Sequence, residues 1–94
     1  MGKVNAIYLN TLDNCVTLTA SADAGDIVSF LADGSEKTIT AREQITIWHK
    51  MAIKSVEPGA DIYKYGTAIG VATKQIDIGD YVHVHNIKSP GIGG

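Results

Sequence analysis

Glycine interrupts this chain before any element can grow long. Three segments share one local grammar: Ala24-Gly25-Asp26-Ile27-Val28, Pro58-Gly59-Ala60-Asp61-Ile62 and Ile78-Gly79-Asp80-Tyr81-Val82. In each, a glycine supplies a turn conformation that a β-carbon resists, an aspartate follows within two residues, and an apolar strand begins. Ahead of each lies an alternating segment: Val16-Thr17-Leu18, Met51-Ala52-Ile53 and Ile69-Gly70-Val71-Ala72. The unit reads strand, turn, strand. No stretch sustains a helical period, so many short strands with a turn about every ten residues predict an all-β, barrel-like or folded-hairpin domain.

The individual strands follow from alternation. Cys15 to Ala20 sets Val16, Leu18 and Ala20 on one face and Thr17 and Thr19 on the other. Ile27 to Leu31 is rich in β-formers, and Asp33-Gly34 is a turn that lets Lys37 to Thr40 return as a hairpin partner. Ile45 to Trp48, Met51 to Val56, Asp61 to Lys64, Thr67 to Ala72 and Tyr81 to Ile87 are further strand candidates. Thr40-Ala41-Arg42-Glu43 has the spacing of a capping box, although a strand ending at Thr40 reads slightly better.

The length of 94 residues suits one domain. Its bounds are set at residues 1–87, with 88–94, rich in glycine and holding Pro90, as a flexible tail. The net charge is −2 and the eight basic residues are scattered, which argues against a nucleic-acid partner. No apolar run approaches the roughly 20 residues that span a bilayer, and the start lacks a signal-peptide core. Cys15 has no partner for an internal disulfide, which suits a reducing, cytoplasmic setting, and it sits in an apolar run as a packing residue.

Candidate chemistry falls in the second half. On a regular strand, Tyr81, His83 and His85 share one face, with Val82 and Val84 packed inward. Imidazoles two residues apart can converge on an anion or on a divalent ion such as iron or zinc, so His83 and His85 are the candidate metal pair. A solvated strand face carrying histidine is the plain alternative. His49 and Lys50 stand together at a strand entry, where imidazole beside ammonium can bind or polarise a carboxylate or hydroxyl. Lys64, a point charge for an anion, and Tyr65, a donor, precede Gly66, which with Gly70 allows a sharp bend and close approach of another chain or ligand. Trp48 reads as a core-edge residue, or as a stacking surface for a sugar ring if exposed. No nucleophile triad, paired-cysteine motif or phosphate loop is present.

Taken in order, His49-Lys50-Met51-Ala52-Ile53, Glu57-Pro58-Gly59, Lys64-Tyr65-Gly66, Ile69-Gly70-Val71-Ala72, Ile78-Gly79-Asp80 and Val82-His83-Val84-His85-Asn86 closely resemble the SAF domain of the altronate and galactarate dehydratase family. The likeness is strong over residues 47–87, looser at Asn14-Cys15-Val16 and Ala24-Gly25-Asp26, and lapses over 33–40. The resemblance implies a β-clip fold of bent hairpins. It implies hydro-lyase chemistry on a sugar acid, giving a 2-keto-3-deoxy acid, with a divalent, iron-type metal in the assembled enzyme. It implies a large catalytic dehydratase subunit as partner. The small chain is expected to be inactive alone, because it offers no nucleophile, no acid–base pair of clear geometry and no large pocket-forming domain. The resemblance places His49, His83 and His85 at a functional cleft, and with Lys50, Lys64 and Tyr65, read from their local chemistry, they make up the candidate substrate or metal cleft. Sulfolactate sulfo-lyase has a similar small subunit and expels sulfite rather than water. A stand-alone carbohydrate-binding module is a further alternative, since SAF-like domains also occur in sialic acid synthases and antifreeze proteins.

Overall fold

The computed structural model describes residues 2–89, and over that range the chain is all-β, without a helix. Its strands are β1 (Lys3–Ile7), β2 (Cys15–Leu18), β3 (Ile27–Ala32), β4 (Ser35–Thr40), β5 (Lys50–Ala52), β6 (Asp61–Lys64), β7 (Thr67–Ala72), β8 (Tyr81–Val82) and β9 (Ile87–Lys88). They form a six-stranded sheet in the order β4-β3-β1-β2-β5-β8 and a three-stranded sheet in the order β6-β7-β9. Two sheets of short bent hairpins are consistent with the SAF-type β-clip fold that the resemblance implies.

The expected hairpins form where their turns are well coded. Ser35 to Thr40 returns along β3 in unbroken register from Ala32↔Ser35 to Ile27↔Thr40. Asp33 and Gly34 both take positive φ at its tip, as a two-residue hairpin turn demands. Thr40 ends a strand, so the capping-box spacing builds no helical turn. Sequence alternation overlooked β1, which lies between β3 and β2 and pairs parallel to the first and antiparallel to the second.

The strand-turn-strand grammar occurs four times, once more than the glycine pattern suggests. Ala22 bridges Ile45, and Val56 bridges Ile76. Three residues after each of these four stands a residue with positive φ: Gly25, Trp48, Gly59 and Gly79. The hydrogen bonds are reciprocal within each pair. Gly25 N donates to Ala41 O and Trp48 N to Leu18 O, while Gly59 N donates to Ala72 O and Gly79 N to Ala52 O, all at 2.8 Å. The domain is thus two pseudo-twofold pairs of turns. Two of the turns are tied further by Asp26 and Asp80, whose carboxylates accept from Asp23 N and Asp77 N at 2.8 Å.

This repeat overturns the strand reading of Ile45 to Trp48: only Ile45 pairs, and the chain then turns through Trp48. It also halts the strand starting at Met51, because β5 ends at Ala52 and a turn follows. Each pair of turns has its own core. Val16, Leu18, Val28, Phe30, Ile45 and Met51 pack in the first, and Cys15, Ala52, Val56, Ile62, Ile76 and Val82 in the second. β2 is the wall between them, so all four of its residues are buried, Thr17 included, and the expected polar face is absent. Ala20, expected inside, lies beyond the end of the strand and is exposed.

Asn14 fastens the small sheet to the large one. Its side chain accepts from Tyr63 N at 2.8 Å and donates to Asp61 O at 2.9 Å. Asp13, wholly buried, accepts from Gly66 N at 2.8 Å and from Asn10 N at 3.2 Å, so it pins the β6–β7 turn. Gly70 permits the approach of β9, since a Cβ there would lie 2.8 Å from Lys88 O. Lys88 pairs with Val71, one residue past the expected domain boundary. The remainder of the expected tail, from Pro90, lies outside the described residues.

Candidate functional site

β5 and β8 run antiparallel, with Lys50 opposite Val82 and Met51 opposite Tyr81. That register brings the entry to β5 beside the exit from β8. His49, leaving the Trp48 turn, meets the residues that follow Val82. Its ring centroid lies 4.7 Å from that of His83 and 5.5 Å from that of Tyr81, and its Nδ1 is hydrogen-bonded to the Tyr81 hydroxyl. Tyr81 and His83 are stacked, their planes 3° apart and centroids separated by 5.5 Å. His85 packs its ring at 5.5 Å from Tyr81. Tyr81 is therefore the hub, touching all three imidazoles.

The backbone of this cluster is not the expected strand. β8 stops at Val82, and residues 83–86 form a turn. Buried Asn86 causes it. Its side chain accepts from His83 N at 3.0 Å and donates to Tyr81 O at 2.7 Å, while its own N–H donates to His83 O at 3.0 Å. These bonds curl the chain back where a strand would run on. Val82 is buried as expected, but Val84 is 79% exposed, so the inward placement of both valines fails. Tyr81, His83 and His85 still converge, held by a turn rather than by alternation.

Lys50 is half-buried and lies cross-strand between Thr17 and Val82. Burial pushes its ammonium below the ordinary lysine value, and Lys64 nearby adds to the effect. Among the described residues it has no ion-pair partner. Burial likewise pushes His83 below the ordinary imidazole value, followed by the charges of His49, Lys50 and His85. Lys64 also places its Nζ 5.0 Å from the centre of the Tyr65 ring, at the turn pinned by Asp13. The Thr17 hydroxyl, across from Lys50, is buried without a hydrogen-bond partner. His49, His83 and His85 thus gather around Tyr81, while Lys50 stands opposite Val82, close enough to His83 and Lys64 for their charges to act on one another. Alternation alone marks neither Tyr81 as hub nor Asn86 as organiser. Asn86 closes the Val82-to-Asn86 motif, and a short amide after two histidines was the available signal for a turn.

The described residues include no group of three or more His, Cys, Asp or Glu side chains disposed to hold a metal ion. With His49 Nδ1 engaged by Tyr81, the cluster does not supply a complete coordination set from this chain. The described residues enclose no ligand-sized cavity either. What they offer is an open, cationic and aromatic surface.

Comparison with known proteins matches residues 4–90 to the altronate/galactarate dehydratase SAF domain. The chain belongs to that family. This SAF domain is 34% identical over 83 residues to altronate dehydratase of Escherichia coli, covering 88% of the chain but 16% of the relative. It is 40% identical over 52 residues to altronate dehydratase of Bacillus subtilis, covering 55% of the chain and 10% of that protein. The (2R)-sulfolactate sulfo-lyase subunit alpha of Paracoccus pantotrophus is 36% identical over 58 residues, which are 62% of the SAF domain and 87% of the subunit. The SAF domain therefore spans a small fraction of the two dehydratases and most of a sulfo-lyase subunit. No helix among its described residues is long and apolar enough to cross a membrane.

Proposed function

We propose that this SAF domain is the small subunit of a cytoplasmic hydro-lyase acting on a sugar acid, and that it works against a large catalytic subunit. The observation that carries the reading is the His49–Tyr81–His83 cluster beside half-buried Lys50, on a surface that encloses no cavity of its own. Dehydration next to a carboxylate removes a proton from the adjacent carbon and expels a β-hydroxyl, which leaves as water once protonated. Negative charge grows on the carboxylate side as the proton departs, and fixed cations stabilise it best where water is excluded. Lys50 and Lys64 supply that charge. His83, held toward its neutral form, is suited to accept a proton, and the Tyr81–His49 pair to carry one toward the leaving oxygen. The large subunit supplies the remaining walls and any divalent ion. The bounds of the working domain are proposed as residues 1–87.

The assay follows directly. The chain is co-expressed with a large lyase polypeptide from the same genome, and the complex is tested on a panel of aldonates and on sulfolactate. Co-purification and dehydration of an aldonate are expected, with no turnover by the small chain alone. Replacing His83 and His85 together by Gln lowers activity of the complex at least about tenfold without dissociating it. Robust turnover by the isolated chain, or full activity in the double variant, overturns the reading. A second reading, sulfite elimination, rests on the 87% coverage of the Paracoccus subunit and is distinguished by activity on sulfolactate alone.

A further inference from the structure

Four turns share one backbone, and one of them violates the residue rule that the others obey. Gly25, Gly59 and Gly79 take φ of 94°, 89° and 93°, while Trp48 takes 67° at the equivalent place. A left-handed conformation crowds any β-carbon, and a bulky aromatic residue is a true outlier there. Trp48 cannot relax, because its N–H is fixed to Leu18 O at 2.8 Å by the same reciprocal bond that holds its counterparts. The fold gains little packing in return, since the side chain is 61% exposed and Ile47 before it is 38% exposed. Local strain that brings little packing inside the chain points to use by something outside it.

We propose that the Ile47–Trp48 turn tip is the anchor by which this domain docks on the catalytic lyase polypeptide, with the indole seated in an apolar pocket of that polypeptide next to His49. The inference rests on the proposed function and adds the contact that makes the complex. The relatives point to the occupant. The matched segment is 16% of one dehydratase, so in that protein it is joined to a far larger remainder, and it is 87% of a chain named as a subunit. A large polypeptide is the surface common to both arrangements. A sugar acid is a poor occupant, since an open polyhydroxy chain has no apolar face the size of an indole. Buried tryptophans ringed by polar contacts are the side chains that most often dominate such interfaces. Docking at Trp48 also sets the partner against the adjoining His49–Tyr81–His83 cluster and closes it from water.

Trp48 is the one tryptophan in the sequence, so it can be watched alone. The chain is labelled with fluorotryptophan, mixed with the unlabelled large lyase polypeptide of the same genome, and followed by fluorine NMR, with affinity measured by calorimetry. The resonance is expected to shift and lose solvent accessibility in the complex. Trp48→Gly is expected to weaken binding at least about tenfold while melting no lower than the parent, and Trp48→Phe to recover part of the affinity. A complex of unchanged affinity in Trp48→Gly, or an indole that stays solvent-accessible, overturns the anchor while leaving the proposed function standing. A parent chain that forms no complex overturns both. A resonance that moves with the chain's own concentration, without the large polypeptide, assigns the tip to self-association and overturns the anchor.

Discussion

At Gly79 the left-handed turn is pressed against its own chain: a Cβ there would meet Thr40 O at 2.6 Å. At Trp48 the same turn, with the equivalent hydrogen bond, carries a large side chain out into solvent. One backbone therefore serves two ends. Where the turn faces the other half of the domain, close approach selects glycine. Where it faces outward beside the histidines, space is free and only local strain opposes a side chain. That strain of about 1–2 kcal/mol is tolerable in a domain whose net stability is about 5–15 kcal/mol.

The most severe way to test the contrast is Gly79→Ala. It adds the left-handed penalty to a clash with a carbonyl that cannot easily move, so a loss of about 3–4 kcal/mol is expected in urea unfolding. Removing the Asp13 carboxylate comes next. Asp13→Ala strands the Gly66 and Asn10 amides and frees the Lys64–Tyr65 turn, at about 2–3 kcal/mol, with the loss showing in the same titration. Gly25→Ala is the control for Gly79, because nothing lies within 4 Å of its added Cβ at φ 94°. A loss of only about 1 kcal/mol is expected, and parity between the two alanines would show that conformation alone, without close approach, governs these turns.

The smallest effect concerns pH. His83 is held below the ordinary imidazole value, first by burial and then by His49, Lys50 and His85. Between the folded value and the unfolded one, near 6.5, the unfolded chain binds more protons. Acidification through that window therefore costs stability, and the loss is complete below the folded value. On moving from about pH 7.5 to about pH 5, His83→Gln is expected to lose less melting temperature than the parent. An identical loss in the two proteins contradicts the depressed imidazole.

The sequence disclosed the grammar of the fold more readily than its count. Gly25, Gly59 and Gly79 announced three turns because glycine is the usual residue at positive φ. The fourth was hidden because Trp48 signals a strand or a core, and nothing local shows that reciprocal bonds to Leu18 hold it in a turn. The ordered motifs singled out His49, His83 and His85, and the structure brings these three rings against Tyr81. The geometry of the site was not legible. Period-2 alternation from Tyr81 to His85 is a valid strand signal, and the side-chain and backbone bonds of Asn86 to Tyr81 and His83 convert it to a turn. The burial of Thr17 was equally invisible, since a strand with two covered faces needs knowledge of both cores.

Cys15 offers one more use of the two-core plan. It is 1% exposed within the second core, and burial raises its thiol to about 12. A group so placed is almost entirely protonated and unreachable in the native state, and becomes an ordinary reactive thiol once the chain opens. The rate of its alkylation under native conditions is then a chemical clock for opening of the β2 wall. Read against reagent concentration, that clock separates breathing of a single core from cooperative unfolding of both.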